Sequence, residues 1–176
     1  MKFSNKIKNK NWQRRGMTFL ELMVATSVLT VGIAGTLALI HQTVAASASA
    51  ANRFKAAYLA QEGIEVVRNI RDGNWVNNRD WRTGLGDHSC GEVIFNSTTI
   101  TACPGGMAQL LRFHNGFYSY DTAGVASIFS RQITLTSESV EARGTTTRLR
   151  VAVTISWLER GVTQSVVVVE NLYNWR

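Results

Sequence analysis

Residues 14–40 read RRGMTFLELMVATSVLTVGIAGTLALI, and this stretch decides how the chain is organised. Between Met17 and Ile40 the only charged residue is Glu21. An α-helix over such a segment is about 36 Å long, enough to cross a hydrocarbon core of about 30 Å. A carboxylate within it costs about 2.5–3.5 kcal/mol at the bilayer centre and less near an end. Glu21 is therefore a functional candidate that needs a partner.

The residues before this stretch are strongly basic. The whole chain carries a net charge of +7, and residues 1–16 contain six Lys or Arg side chains and no acid. The remainder is therefore almost neutral. This asymmetry is typical of a cytoplasmic leader that follows the positive-inside rule, and Arg14 and Arg15 lie at its end. A basic arm that binds nucleic acid is the alternative interpretation.

A second, amphipathic stretch follows the apolar one without a break. Its apolar positions recur every three or four residues, and residues 17–72 contain no proline. We expect one helix of more than fifty residues, membrane-embedded over 17–40 and amphipathic over 41–72, with Arg68 and Arg71 in its last turn. Asp72-Gly73-Asn74 is predicted to end it.

Residues 73–176 are predicted to form a small β-rich domain, the head, which ends in a hairpin. Apolar and polar residues alternate strictly over 149–157, and Glu159-Arg160-Gly161 is a turn signal, so a hairpin is expected over 148–173. The Val166–Val169 run predicts burial on both faces of its second strand. Further strands are expected at residues 92–95, 98–102, 117–120 and 128–137, and Trp75 and Trp81 are expected to close one end of the core.

The predicted fold class is therefore α+β. The leader occupies residues 1–16, and the long helix occupies 17–40 and 41–72. Its second half is expected to pack on a small antiparallel sheet formed by residues 73–176.

Two cysteines, Cys90 and Cys103, follow the apolar segment. If this part of the chain lies outside the cytoplasm, the two thiols can form a disulfide. The alternative is a metal pair, but no Cys or His follows at ligand spacing, and His41, His88 and His114 are scattered. We favour the disulfide.

The sequence offers little that suggests catalysis. It has no phosphate-binding glycine loop after a strand, no metal-spaced histidine cluster and no nucleophile elbow. The aspartates of the loop-like segments match no calcium-binding loop and are interpreted as solvated turn residues; they are Asp72, Asp80, Asp87 and Asp121. No catalytic residue, metal site or cofactor is predicted.

The segment Gly16-Met17-Thr18-Phe19-Leu20-Glu21 resembles the prepilin signature of type IV pilins and type II secretion pseudopilins. The resemblance implies that a prepilin peptidase cuts between Gly16 and Met17 and methylates the new amine, and that residues 18–21 serve assembly. Met17 departs from the usual phenylalanine. The absence of proline from the helix is typical of a minor pilin or pseudopilin rather than a major pilin.

Physical chemistry supports the motif independently. Gly16 has no side chain to obstruct a protease at the membrane face. The ammonium group freed at Met17 is a natural partner for Glu21 of a neighbouring subunit, since a pair about 4 Å apart gains about 4 kcal/mol at an effective dielectric near 20. The carboxylate would then favour assembly and set the axial register.

Weaker similarity to V-class minor pilins and I-class pseudopilins extends over residues 59–72 and 172–175. The resemblance implies a cytoplasmic-membrane subunit with its leader inside and its head outside, which later joins a pilus or pilus-like fibre. The implied partners are the prepilin peptidase and methyltransferase, other pilin or pseudopilin subunits, the membrane and the assembly machinery. No specific nucleic acid is predicted, and a type II secretion or DNA-uptake pseudopilin is the alternative within the family.

A secreted or membrane-anchored β-domain protein is the alternative from another class. Ala46-Ser47-Ala48 and Ala48-Ser49-Ala50 match the small-residue site of a signal peptidase. The apolar segment, however, is longer than a signal-peptide core of about 7–15 residues, and Glu21 interrupts it.

Overall fold

The computed structural model describes residues 16–139 and 147–174. Within them the chain forms one helix, α1 (Phe19–Val76), and seven strands. The strands are β1 (His88–Glu92), β2 (Thr101–Ala102), β3 (Leu110–His114), β4 (Phe117–Ser119), β5 (Val125–Ser139), β6 (Thr147–Glu159) and β7 (Val162–Tyr173), with a 3-10 turn at Pro104–Gly106. The α+β prediction of a long helix followed by an antiparallel sheet is confirmed.

The first part of α1 belongs to a compact unit that ends at Ala46, and a second unit begins at Ser47. By length and composition the helix can cross a membrane, and none of its most apolar stretch is buried within the chain. This agrees with the membrane-spanning half predicted over residues 17–40.

The helix ends later than predicted. Asp72-Gly73-Asn74 does not stop it, because the buried Asn74 side chain donates to the carbonyls of Trp81 and Thr83, at 3.2 and 2.8 Å. The helix ends at Val76, and Asn78, two residues later, has a φ of 53°. The N–H groups of Asn78 and Arg79 bond back to the carbonyls of Trp75 and Asn74, the pattern of a Schellman motif. Arg68 and Arg71 therefore do not lie in the last turn.

All strands join one antiparallel sheet built around β5. One side of β5 pairs with β6, which pairs with β7. The other side of β5 pairs first with β3 and then with β1, and these carry β4 and β2 on their outer edges. The long, regular strands β5, β6 and β7 thus form one side of the sheet.

The hairpin predicted over 148–173 is confirmed. Arg160 and Gly161 form its two-residue turn, both with positive φ (52° and 79°), as in a type I′ turn. The buried residues of β6 are those of the predicted alternation. The prediction that Val166–Val169 is buried on both faces is wrong, because β7 lies at the edge of the sheet: Val166 and Val168 are half-buried, whereas Val167 and Val169 are exposed.

The smaller strands differ from the predictions. The strand expected at 128–137 is confirmed within the longer β5, and that at 117–120 is confirmed as β4. The strand expected at 92–95 is wrong, and that at 98–102 shrinks to two residues. β1 (His88–Glu92) has little intrinsic strand preference and exists through its pairing with β5 and β2. β3 was not predicted.

The core of the head lies between the sheet and the second part of α1. Val67 and Val153 are fully buried in it, Trp81 is also buried in it, and Trp75 packs against it. The helix face consists of Ala56, Leu59, Ala60, Gly63, Ile64, Val66, Val67 and Ile70, followed by Arg71 and Asn74. A Cβ at Gly63 would lie 3.1 Å from Val153, so glycine permits close approach of helix and sheet.

The side chain of an arginine also lies in this core. Arg131 of β5 is fully buried. Its guanidinium bonds to Glu62 Oε1 at 3.0 Å and to the carbonyls of Leu59 and Val93, at 3.4 and 2.6 Å. The pair Arg131–Glu62 thus ties the sheet to the helix.

Candidate processing and assembly site at the start of the helix

Gly16, Met17 and Thr18 lie outside regular secondary structure, immediately before α1. Gly16 is exposed, and a Cβ added there would meet no atom within 4 Å. Met17 is 65% exposed. The peptide bond between them is therefore open to another molecule. Arg14 and Arg15, predicted to close the leader, lie outside the described residues.

Thr18 caps the helix. Its Oγ1 accepts a hydrogen bond from the N–H of Glu21 at 3.3 Å, and its carbonyl accepts one from the N–H of Leu22 at 3.1 Å. A threonine followed three residues later by a glutamate is the sequence pattern of a capping box, and an acid in the first turn suits the helix dipole. The motif placed Thr18 in the assembly segment; its capping role was readable from the spacing but was missed.

The side chains around Glu21 are exposed in the part of the chain that the structure describes. Phe19 and Leu20 are 77% and 72% exposed, and Glu21 itself is exposed. Apart from His41, residues 16–46 contain no basic side chain. Residues 16–46 therefore supply no Lys or Arg partner for Glu21.

The hydroxyl groups of the apolar segment are satisfied locally. Each donates to a backbone carbonyl three or four residues earlier in the helix, at 2.8–3.0 Å. They belong to Thr26, Ser27, Thr30, Thr36 and Thr43. Such bonds remove the penalty of placing these groups in lipid. With Glu21 as the exception, the segment is chemically suited to a bilayer.

The helix continues through the two candidate signal-peptidase sites. Next to these sites, residues of the helix lie close to the turn of the β6–β7 hairpin. Hydrogen bonds from Trp157 Nε1, Ser49 and Asn52 lower the pKa of Glu159. A cut near Ala48 or Ala50 would fall beside this contact.

The predicted disulfide is confirmed. Cys90 and Cys103 are bonded, with Cα atoms 5.4 Å apart, and both are buried. The N–H of Cys103 also donates to the carbonyl of Cys90 at 3.1 Å. The bridge ties β1 to the segment that precedes the 3-10 turn.

Among the residues that the structure describes, no group of three or more His, Cys, Asp and Glu side chains could hold a metal ion. The loop aspartates instead make contacts with other groups of the chain. Asp80 and Asp121 accept from backbone N–H groups two residues on, Asp87 accepts from Ser137, and Asp72 pairs with Arg71.

Glu92 of the head lies in an environment that disfavours its charged form. Glu92 lines a cavity of about 380 Å³ with Tyr120 and Asp121. Burial raises the pKa of Glu92, and a hydrogen bond from the backbone of Gln109 opposes the shift. Burial also raises the pKa of Tyr120, against the nearby charge of Arg131.

Comparison with protein-family models, with curated proteins and with solved structures finds no match for this chain. The candidate site therefore depends on its own motif and geometry.

Proposed function

We propose that this chain is a minor pilin or pseudopilin, a non-catalytic subunit of a type IV pilus or pilus-like fibre. It inserts in the cytoplasmic membrane with its leader inside and is cut between Gly16 and Met17 by a prepilin peptidase. The enzyme methylates the new amine of Met17. The processed subunit then joins the fibre through its apolar helix, and its head lies outside the membrane.

The observation that carries this proposal is the combination of the prepilin motif with a helix that begins at Phe19. The proposed scissile bond lies only two residues before the helix, in exposed, non-helical backbone. A protease requires an extended and accessible substrate, so the helix has to start after the cut. The Thr18 cap meets this requirement because it defines where the helix begins.

The proposed assembly role follows from charge. In residues 16–46 Glu21 is exposed among apolar side chains, and an unpaired carboxylate is penalised in lipid. Cleavage would create a cation at Met17, four residues away in sequence. Pairing of this amine with Glu21 of a neighbouring subunit neutralises both groups and favours one axial register.

A type II secretion or DNA-uptake pseudopilin would have the same processing site and the same helix. The nearly neutral charge of residues 17–176 argues against direct DNA capture, which depends on neutralising phosphates. A secreted β-domain released by signal peptidase is disfavoured because the helix runs unbroken through the candidate cut sites and buries its face from Ala56 onward.

The mature N-terminus tests the proposal. The full chain is expressed in bacterial membranes with and without a prepilin peptidase, and the N-terminal peptide is identified by mass spectrometry. We expect N-methylated Met17 only when the peptidase is present. An N-terminus between Ser49 and Ala51, or an uncut chain with an active peptidase, would contradict the proposal.

A further inference from the structure

We infer that the open edge of β7 and the groove beside it bind an extended, uncharged segment of a different protein subunit, which adds a strand to the sheet. The exclusion of a second copy as the occupant rests on the proposed membrane anchoring. Every other property of this edge belongs to the head alone.

β7 presents unpaired backbone along its outer side. Among the described residues it pairs only with β6, in continuous register from Val162 to Tyr173. The two-residue turn makes Glu159 and Val162 a hydrogen-bonded pair, and bonded pairs alternate along an antiparallel ladder. The N–H and C=O groups that point to the open edge therefore belong to Thr163, Ser165, Val167, Val169 and Asn171.

This edge lacks the usual protection. Exposed edge strands are normally short, bulged, or interrupted by proline or lysine, because a free edge templates pairing with other chains. β7 has twelve residues, contains no proline or lysine, and includes the run Val166–Val169. The outer strands on the other side of the sheet, β2 and β4, have only two and three residues. The head thus has one long edge suited to strand addition.

A groove between α1 and β7 lies next to this edge. It has a volume of about 770 Å³ and is lined by α1 residues such as Leu59 and Ile64, by Val168 and Glu170 of β7, and by Tyr118 of β4. Two contacts bracket it along β7: Arg53–Gln164 at 3.5 Å and Arg68–Glu170 at 2.7 Å. An added strand would direct alternate side chains into this groove, the arrangement in which main-chain bonds supply affinity and pockets supply specificity.

The charges of the groove indicate which segment fits. Arg68 is paired with Glu65 and Glu170, at 2.6 and 2.7 Å, and Glu62 is paired with Arg131 at 3.0 Å. Lys55, the other charged residue of the lining, is exposed to solvent. A charged residue entering the groove would compete with these pairs and lose its hydration. The half-buried Val166 and Val168 favour small apolar side chains instead. The occupant is therefore an extended segment in which apolar residues alternate with uncharged polar ones.

Pairing of β7 with β7 of a second copy does not suit an anchored chain. Helix residues 53–68 run in the same direction as strand residues 164–170, as their contacts show. Antiparallel two-fold pairing would make the Ser47 ends of the two heads leave from opposite ends of the joined sheet, but both must lead to one membrane. Parallel two-fold pairing places facing residues on opposite faces and breaks the pleat. The strand therefore comes from a different subunit.

The test uses the full chain in detergent and a fluorescent heptapeptide of alternating valine and threonine. The control peptide carries N-methyl groups on alternate amides and cannot pair with an edge. We expect saturable anisotropy binding of the first peptide only. Val167→Pro removes an outward N–H without a ladder bond and should weaken binding at least about tenfold, whereas Val167→Thr should retain it. Gln61→Trp, which fills the groove, should also weaken binding relative to Gln61→Ala.

Equal affinity for Val167→Pro and native protein, or for both peptides, would overturn the inference, as would no saturable binding below about 1 mM. The N-methylated peptide keeps the test valid if the proline variant fails to fold. A peptide-free dimer that Val167→Pro abolishes would assign the edge to a second copy and overturn the stated occupant. The mature N-terminus is measured on the same preparation: an N-terminus other than Met17 with binding intact contradicts only the proposed function.

Discussion

The two parts of α1 place their apolar side chains in different environments. Val31 in the first part is 74% exposed, whereas Val67 in the second part is fully buried. Both lie in one helix and carry the same side chain, but only Val67 has a sheet to cover it. Apolar surface that a chain cannot bury on itself requires another apolar environment. The comparison shows which half of the helix leaves its apolar side chains uncovered by the described sheet.

The polar groups repeat this contrast. In the first part, hydroxyl side chains such as Thr26 and Thr36 bond to carbonyls of their own helix. In the second part, Glu62 and Arg68 reach side chains of the sheet, Arg131 and Glu170. The hydroxyl groups of the first part are therefore satisfied within the helix, whereas these charged side chains of the second part pair with the sheet. Single substitutions in each part can test this division.

The largest expected effect is on processing in the first part. Gly16→Ala should leave nearly all of the chain uncut, because a side chain at this position obstructs the peptidase. Gly35→Ala is the matched control, since a Cβ there also meets no atom within 4 Å but lies far from the cut. Mass spectrometry of membrane fractions measures both. Normal cleavage of Gly16→Ala would count heavily against the prepilin assignment.

The next effect concerns assembly. Glu21→Ala and Glu21→Gln should both be inserted and cleaved, because removal of an intramembrane charge does not hinder insertion. Both should enter fibres poorly, because the Met17 amine loses its partner. Crosslinking to other fibre subunits, normalised to the amount of variant in the membrane, measures this. Wild-type incorporation of both variants would exclude a register role for Glu21.

In the second unit, loss of the disulfide should have the largest effect on stability. Cys90→Ser should lower the free energy of unfolding of the head by about 3 kcal/mol in the chain-entropy model, and its melting temperature by several degrees. Its effect on membrane insertion should be negligible. Thermal denaturation of purified protein measures the first, and two alkylatable thiols in the native protein would refute the pairing.

A matched pair of valines tests the comparison directly. Val67→Ala should destabilise the head by about 1–3 kcal/mol, because it removes methyl groups from the core and leaves a cavity. Val31→Ala should leave the stability of the head unchanged within about 0.5 kcal/mol. Denaturant unfolding followed by the near-ultraviolet signal of the head measures both. A similar loss for the two variants would show that the units are not independent.

The smallest effect is a pH dependence within the head. Burial raises the folded-state pKa of Glu92 above its usual 4.5. The contribution of Glu92 to the stability of the head is therefore most favourable at a pH below that usual pKa, and it is lost as the pH rises through the folded-state pKa. Glu92→Gln should therefore melt higher than the native protein at about pH 7 but not at about pH 3.5.

Glu159→Gln provides a control of opposite sign. The Trp157 N–H lowers the pKa of Glu159, so its contribution is present above the usual value and is lost as the pH falls through the folded-state pKa. This variant should melt lower than the native protein near neutral pH and match it in acid. The same sign for both variants would contradict the assigned environments.

Local patterns in the sequence determined the main elements. The apolar run and its three-to-four-residue continuation predicted one long helix, and strict alternation over 149–157 predicted the hairpin. The pairing of Cys90 with Cys103 followed because the chain contains only two cysteines. The prepilin motif also lies within six consecutive residues. Each of these features depends on neighbouring residues or on a simple count, and no long-range contact is needed to find it.

Only the tertiary structure decided where elements end and which groups they bury. The helix passes Gly73 because Asn74 binds the loop beyond it, and it ends at Val76, before Asn78 in the left-handed conformation. Arg131 takes a core position because Glu62 and two carbonyls meet it there. Val167 stays exposed because β7 is an edge strand. These outcomes depend on contacts between residues distant in sequence, whose energies outweigh local preferences of a few tenths to about 1 kcal/mol.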